Sequence, residues 1–349
     1  MYTVTSHESS LPEDLEVFLA ENTSGAFPHY SRGWMEVIAR FAGGTPAFLT
    51  LERGSKIVGL VPVFIAKIDA FVVANALPLG GSPGSMLLAE GLSQSERESA
   101  YRRLFEAIDR WCAERHVDVL TINGNPLVEG EKAFFEACWA YNYYHPKITQ
   151  INDLSRPRDY KDTIPRNIRK AEKYGVEIVT GYRPDLAEQF YSLYQGNRER
   201  YGARVFPPAY FQQVGSVMES RGESEFIYAL RDKVLLGALM SLKSRSIACY
   251  QEPVVNDAER DSQANSLLLY TLIERHRAKG LRYWSWGASP NRDCGVFKFK
   301  AGWGPDVYEY GFYTKIYGSL EALRARGLSG ELLRLAAPDY FVVNYDLLK

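Results

Sequence analysis

Two separate stretches of the chain carry the same alternation of apolar and polar residues. Residues 47–61 (AFLTLERGSKIVGLV) and 225–239 (EFIYALRDKVLLGAL) each set two apolar runs around a charged turn. That is the pattern of a β-hairpin. Aligned without a gap, Phe48 falls on Phe226, Arg53 on Arg231 and Gly59 on Gly237. A glycine inside a strand pattern marks a bulge or a close backbone approach. Each hairpin is followed by a helical period: Leu104, Phe105, Ile108, Trp111 and Cys112 within 101–114, and Leu268, Leu269, Leu272 and Ile273 within 266–279. Each helix leads into an apolar strand, VDVLTI ending at Ile122 and LRYWSW ending at Trp286. Hairpin, helix and strand in the same order twice make internal duplication the reading of choice.

Pro146, Pro157 and Pro165 punctuate a charged segment over 146–165, the composition of a linker. It divides the chain into expected domains 1–150 and 151–349. The second holds a helix over 185–201, an aromatic strand VYEYGFYTKIY over 307–317 and a helix from Leu320. Hairpins mixed with helices predict α+β layers rather than a regular βαβ repeat.

The totals narrow the function classes. A length of 349 residues favours two domains, and 46% hydrophobic with 24% charged residues is ordinary for a folded chain. A formal net charge of -1 gives no global field for nucleic acid, so DNA is not an expected partner and any basic site is local. Cys112, Cys138, Cys249 and Cys294 form no short C-x-x-C spacing, and the five histidines are scattered, so no metal site is expected. The first residues lack a basic start followed by an apolar core, and no stretch reaches the ~18–20 apolar residues of a spanning helix. A cytoplasmic protein without a transmembrane segment is expected.

Four groups of residues carry candidate chemistry. The alternation in VFKFK (296–300) reads as a strand, with Lys298 and Lys300 on one side and Phe297 and Phe299 on the other. From Arg156 to Lys173 seven Lys/Arg stand against three Asp/Glu, and Arg166, Arg169, Lys170 and Lys173 share one helical face. Arginine forks suit phosphate. Tyr194, Arg198 and Tyr201 lie on one face of the next helix, and Glu252 follows a strand as a candidate general base. The run Gly80-Gly81-Ser82-Pro83-Gly84 matches G-x-S-x-G, but its prolines oppose the strand–turn–helix context of a nucleophile elbow, leaving a glycine-rich loop. No P-loop or dinucleotide fingerprint occurs.

The segments PRNIRKAEKYGVEIVTG (165–181), NRERYGARVF (197–206), QANSLLLYTLIERHRAKGLRYWSWGAS (263–289) and NRDCGVFKFKAGWG (291–304) resemble, in order and spacing, the Fem-type branch of the GNAT-like N-acyltransferases. The resemblance implies two tandem GNAT-like domains with a substrate groove. It places Phe299-Lys300 at the acyl-transfer centre, where a fixed ammonium can stabilise an oxyanion. Lys298 is a second candidate, since a one-residue shift exchanges them. Lys300→Met is expected to abolish transfer and leave the fold intact. The resemblance also puts Tyr194, Arg198 and Tyr201 near the acceptor groove and Arg166, Arg169 and Lys170 near phosphate.

Members that use acetyl-CoA carry a glycine turn before the crossover helix, whose amides hold pyrophosphate. The matching place here reads ERDSQANS (259–266), without glycine. The implied donor is therefore an aminoacyl-tRNA, with acyl-CoA as the other choice and no built-in cofactor. The implied acceptor is a small-molecule, lipid-linked or nucleotide-linked amine on a cell-envelope or polysaccharide precursor, reached by transient contact with the inner membrane face. One alternative is an acetyl-CoA-dependent N-acetyltransferase of an amino sugar or small amine. The other is a non-catalytic binding subunit of an envelope or polysaccharide assembly.

Overall fold

The computed structural model describes residues 2–8, 10–22, 25–79, 82–84, 86–200 and 202–349. The chain forms two compact units, residues 1–147 with 309–349, and residues 148–308. The C-terminal segment 309–349, expected in the second domain, thus packs with the first.

In chain order the first part contributes β1 (Tyr2–Glu8), α1 (Leu15–Glu21), α2 (Arg32–Phe41), β2 (Thr45–Arg53), β3 (Lys56–Ile68), β4 (Phe71–Asn75), β5 (Leu87–Leu88), α3 (Gln94–Glu114), β6 (Val119–Asn123), α4 (Glu131–Cys138) and β7 (Tyr143–Asp153). The middle part follows with α5 (Thr163–Lys173), β8 (Glu177–Thr180), α6 (Ala187–Arg200), α7 (Pro208–Gln212), β9 (Ser224–Arg231), β10 (Val234–Lys243), β11 (Ile247–Val255), α8 (Ala264–Ala278), β12 (Tyr283–Ser289) and α9 (Gly295–Ala301). β13 (Asp306–Ile316), α10 (Leu320–Ala325) and α11 (Gly330–Ala336) complete the chain.

The expected hairpins are present. β2 turns into β3 at Gly54-Ser55, and β9 into β10 at Asp232-Lys233, both of which have positive φ. Two-residue turns of this kind match the twist of the flanking strands. Both glycines sit beside a register shift. A Cβ on Gly59 would come within 2.9 Å of Leu88 and 3.2 Å of Leu51. The close approach anticipated from sequence therefore holds.

In each unit a parallel strand pair is joined by a crossover helix: β4 and β6 through α3, β11 and β12 through α8. In each, a further antiparallel strand flanks the parallel pair, β13 beside β6 and β7 beside β12. The crossover helices supply much of the cores. Leu104, Ile108 and Trp111 pack with Leu49, Val61 and Leu120, while Leu268, Leu272 and Ile273 pack with Ile227, Leu239 and Trp284. Each such fully buried side chain is worth about 1.5–3 kcal/mol.

Candidate active site

In the second unit the parallel pairing of β11 with β12 covers three residue pairs and ends at Cys249↔Ser285. β11 then continues to Val255 and β12 to Ser289 without each other. Such a parting withdraws backbone N–H and C=O groups from the ladder and frees them for other partners.

Close to the end of β11 lies a cleft of ≈ 580 Å³ lined by residues from α5, the end of α6, the segment 257–266 and α9. It opens at the start of α8, a 15-residue helix whose N-cap residue, Gln263 (φ 56), makes no side-chain capping bond. Ser262 Oγ accepts from the Ala264 amide at 3.2 Å. Ser266, buried to 7% exposure, also lines the cleft. The positive end of the helix dipole favours an anion here. Lys161, Arg200, Arg260 and Lys298 add cations, and Asp257 and Glu259 add carboxylates. Asp257 is held by Arg200 and Arg260, and Glu259 accepts from Tyr174 at 3.0 Å. Lys161 and Lys298 remain exposed and without a carboxylate partner among the described residues.

The VFKFK segment is a helix, α9, and not the strand expected from its alternation. Asn291 Oδ1 accepts from the Asp293 and Cys294 amides at 2.9 Å, and Cys294 Sγ accepts from Phe297 N at 3.4 Å. This turn starts the helix, and a five-residue alternation is too short to resist it. On a helix Lys298 and Lys300 no longer share a side, because two residues span about 200°. Lys298, Phe299 and Gly302 line the cleft. Lys300 points the other way and is buried, at 3% exposure.

Its Nζ donates to Gly287 O at 3.2 Å, Ala288 O at 2.9 Å and Ser289 Oγ at 3.2 Å. Burial holds its pKa down to about 8. Consecutive strand carbonyls point opposite ways, yet here two converge on one ammonium. A bulge between Ser285 and Ala288, with Gly287 at φ 67, turns them together. Gln150 Nε2 also holds α9, donating to Phe297 O at 3.3 Å.

Tyr194 is buried among Phe190, Phe211 and Tyr191, and its hydroxyl accepts from the Phe206 amide at 3.1 Å. Its place is packing rather than a groove wall. Arg198 lies over the Tyr194 ring at 5.9 Å, donates to Arg204 O at 2.8 Å and approaches Glu252 at 3.9 Å. Glu252 sits at a positive φ on the parted stretch of β11, and burial raises its pKa against the opposing pull of Arg198. Tyr201 lies outside the described residues. Arg166, Arg169 and Lys170 are exposed on α5, while Ile164, Ile168 and Ala171 bury its other face. Thr163 and Asn167 of the same helix line the cleft, and the three basic residues do not.

Sequence reasoning therefore missed Lys161, Asn167 and the open start of α8. Residues 259–266 hold no glycine to mark that helix start as an anion site, although the helix itself was expected. Ser82 is buried with its hydroxyl on Leu79 O at 3.1 Å, in keeping with its rejection as a nucleophile, and Gly80 and Gly81 lie outside the described residues.

Residues 158–301 match the acetyltransferase (GNAT) domain family. Among solved structures the chain is similar to FemX, with a TM-score of 0.73 at 14% identity over 92% of this chain and 99% of that one. It is also similar to a tandem GNAT protein from the clavulanic acid biosynthesis pathway (TM-score 0.54, 19% identity, 91% and 99% covered). A third is the C-terminal domain of a lysylphosphatidylglycerol synthetase candidate from Agrobacterium fabrum (TM-score 0.57, 13% identity, 95% and 99% covered). No curated protein sequence matches the chain. The middle of the chain thus matches the GNAT acetyltransferase domain, and over nearly its whole length the chain shares the fold of FemX and of a tandem GNAT protein. Among the described residues no helix is long and apolar enough to cross a membrane.

Proposed function

We propose that this acyltransferase moves an aminoacyl group from aminoacyl-tRNA to an amine on a cell-envelope or polysaccharide precursor, with the donor's phosphate held at the start of α8. The observation that carries this reading is the cleft itself: a helix start that Gln263 leaves without a side-chain cap, Ser262 taking only the first amide, and that faces Lys161 and Lys298, both exposed to meet phosphate. The parted end of β11 offers backbone donors to the acyl carbonyl. The amine attacks that carbonyl, the C–N bond forms, and the carbonyl electrons move to oxygen. Glu252, whose carboxyl burial holds above its ordinary value and so makes a stronger base, takes the proton from the amine. Collapse of the oxyanion restores the carbonyl and breaks the C–O bond to the tRNA ribose, whose oxygen leaves as a hydroxyl with the proton that Glu252 took. Lys300 supplies a fixed positive charge at the end of β12.

Acetyl-CoA is the second reading, favoured by the GNAT domain match over 158–301. A donor panel decides between them: charged tRNAs and acyl-CoAs against amine acceptors, with product read by mass. Lys161→Ala with Lys298→Ala is expected to raise donor KM by roughly 5- to 20-fold with little change in kcat. Donor KM unchanged by the double variant would remove the cleft from the reaction. Lys300→Met is expected to lose transfer. It also orphans three buried acceptors at about 1–3 kcal/mol each, so the fold is not spared as its sequence suggested, and Lys300→Arg is the needed companion.

A further inference from the structure

Duplication makes the two crossover-helix starts comparable. Gly59 pairs with Leu88 in the first unit as Gly237 pairs with Val255 in the second. The Ala89 amide donates to Val58 O and the Asn256 amide to Leu236 O, so the following segments occupy equivalent places. The first unit has its own pocket there, of ≈ 390 Å³.

Its lining has diverged from the phosphate-friendly cleft of the second unit. The start of α3 is closed by a capping box: the Glu96 amide donates to Ser93 Oγ at 3.3 Å, and the Ser93 amide donates to the Glu96 carboxylate at 2.9 Å. A carboxylate therefore stands over the helix end, where a phosphate would otherwise sit. Glu90 and Glu129 bring two more carboxylates to the pocket lining. These repel polyanions.

One cation faces them. Arg97 is half-buried, rests on the Phe134 ring at 5.3 Å, and makes no side-chain hydrogen bond or ion pair among the described residues. Arg97 pulls on the buried Glu131 carboxyl, but burial outweighs that pull and keeps the carboxyl protonated, so it offers Arg97 little counter-charge. Glu131 is buried, accepts from the Asn125 amide at 2.5 Å and from Tyr101 Oη at 3.3 Å, and is neutral below a pKa of about 8. Tyr101, one helical turn after Arg97, lines the same pocket. Leu88, Leu92 and Leu127 add apolar side chains to the wall, with the buried Met86 behind them.

We propose that this pocket binds a small apolar monocarboxylate, its chain against Met86, Leu88, Leu92 and Leu127 and its carboxylate on the fork of Arg97. A guanidinium with no side-chain hydrogen bond or ion pair among the described residues, beside leucine side chains and two lining carboxylates, selects one negative charge and rejects several. The ligand chemistry has two sources, a short fatty acid or the carboxyl end of an apolar peptide. This site is independent of the acyl-transfer reading.

Calorimetry on the full chain tests it, with octanoate and N-acetyl-leucine as the two carboxylate arms and pyrophosphate and octylamine as contrasts. At least one carboxylate arm is expected to saturate, and the arm that does identifies the source. Neither contrast ligand should bind. Arg97→Met should weaken the binding arm by about 10- to 100-fold, the value of a lost charge-assisted pair, with an unchanged circular dichroism spectrum. Amide shift changes on the unmodified protein should centre on residues 86–92. Absence of saturation by both carboxylates up to about 10 mM, or equal binding by a folded Arg97→Met variant, overturns the proposal. Shift changes located elsewhere, or tight pyrophosphate binding in this pocket, do the same.

Discussion

At the scale of single residues, Lys300 and Gly287 form one device. The ammonium is buried and satisfied by two carbonyls and a hydroxyl, and Gly287 at φ 67 is what turns its own carbonyl and that of Ala288 the same way. A Cβ at Gly287 meets nothing within 4 Å, so alanine fits sterically and the cost lies in the backbone. A left-handed conformation costs a non-glycine residue about 1–2 kcal/mol. Gly287→Ala is expected to lower stability by that amount and to loosen the carbonyl pair. Carbonyl acceptors favour the charged amine, so losing one lowers the lysine's pKa further. If the ammonium is the active form, transfer by the native enzyme falls as pH rises through about 8, and this limb moves to lower pH in Gly287→Ala. Lys300→Arg, which stays charged, should lose the limb altogether. A pH–rate profile identical in all three proteins would detach Lys300 from the chemistry. The importance of Lys300 was readable only through family likeness, and its surroundings were not readable at all. Its partners lie 11 to 13 residues away on another element, and a glycine's φ leaves no mark in the sequence.

At the scale of elements, long periodic segments were legible and short ones were not. α3 shows an apolar face in the sequence and α8 a dense run of buried apolar residues, and Ser93 with Glu96 spells a capping box outright. α9 did not, because alternating Phe and Lys over five residues satisfies a strand and leaves a helix undecided. The basic face of α5 was correct as a helix face but lies away from the cleft, since Thr163 and Asn167 turn inward instead. α4 carries a charge problem that its sequence does not advertise. Its first residue, Glu131, is buried, and burial pushes its pKa up to about 8. The unfolded carboxyl loses its proton near the ordinary value of 4.5, whereas the folded one keeps it to about 8. The folded state thus binds the extra proton between those values. Its stabilising share is complete below the lower value and is lost as pH rises toward the upper one. Relative to Glu131→Gln, native stability should fall across that window by up to about 1.4 kcal/mol per pH unit, then level off. Urea unfolding at a series of pH values measures this difference. A difference independent of pH would mean that Glu131 is ionised in the folded protein.

At the scale of the whole molecule, the duplicated order predicted the two units but not how the chain completes them. Read locally, each crossover strand should be followed by its own flanking strand, β7 after β6 and β13 after β12. Instead β6 pairs with β13, through Asn123↔Phe312 to Val119↔Ile316, and β12 pairs with β7 over 148–153. Each unit therefore takes its flanking strand from the segment that follows the other unit's crossover. Nothing in a linear pattern records such an exchange, because the run of apolar and polar residues along a strand does not say which strand it pairs with. It is also why 309–349 belongs with the first unit. The energetic consequence is large. Tyr313, Leu333, Tyr340, Val342 and Val343 are all at or below 1% exposure, and the Tyr313 ring stacks on Phe135 at 3.9 Å. At about 2 kcal/mol per buried side chain, removing these five forfeits roughly 10 kcal/mol. That is comparable to the whole stability of an ordinary domain, about 5–15 kcal/mol. A fragment ending at residue 150 should therefore lack a cooperative unfolding transition, even though the proline-rich linker marks that point as a natural boundary. The continuous fragment 148–308 should unfold cooperatively by itself, because β8 to β12 and the part of β7 that pairs with β12, residues 148–153, all lie within it. Adding a peptide of residues 309–349 to the first fragment should restore the transition. A dispersed amide spectrum and a sharp melt from residues 1–150 alone would show that the exchanged strand is dispensable.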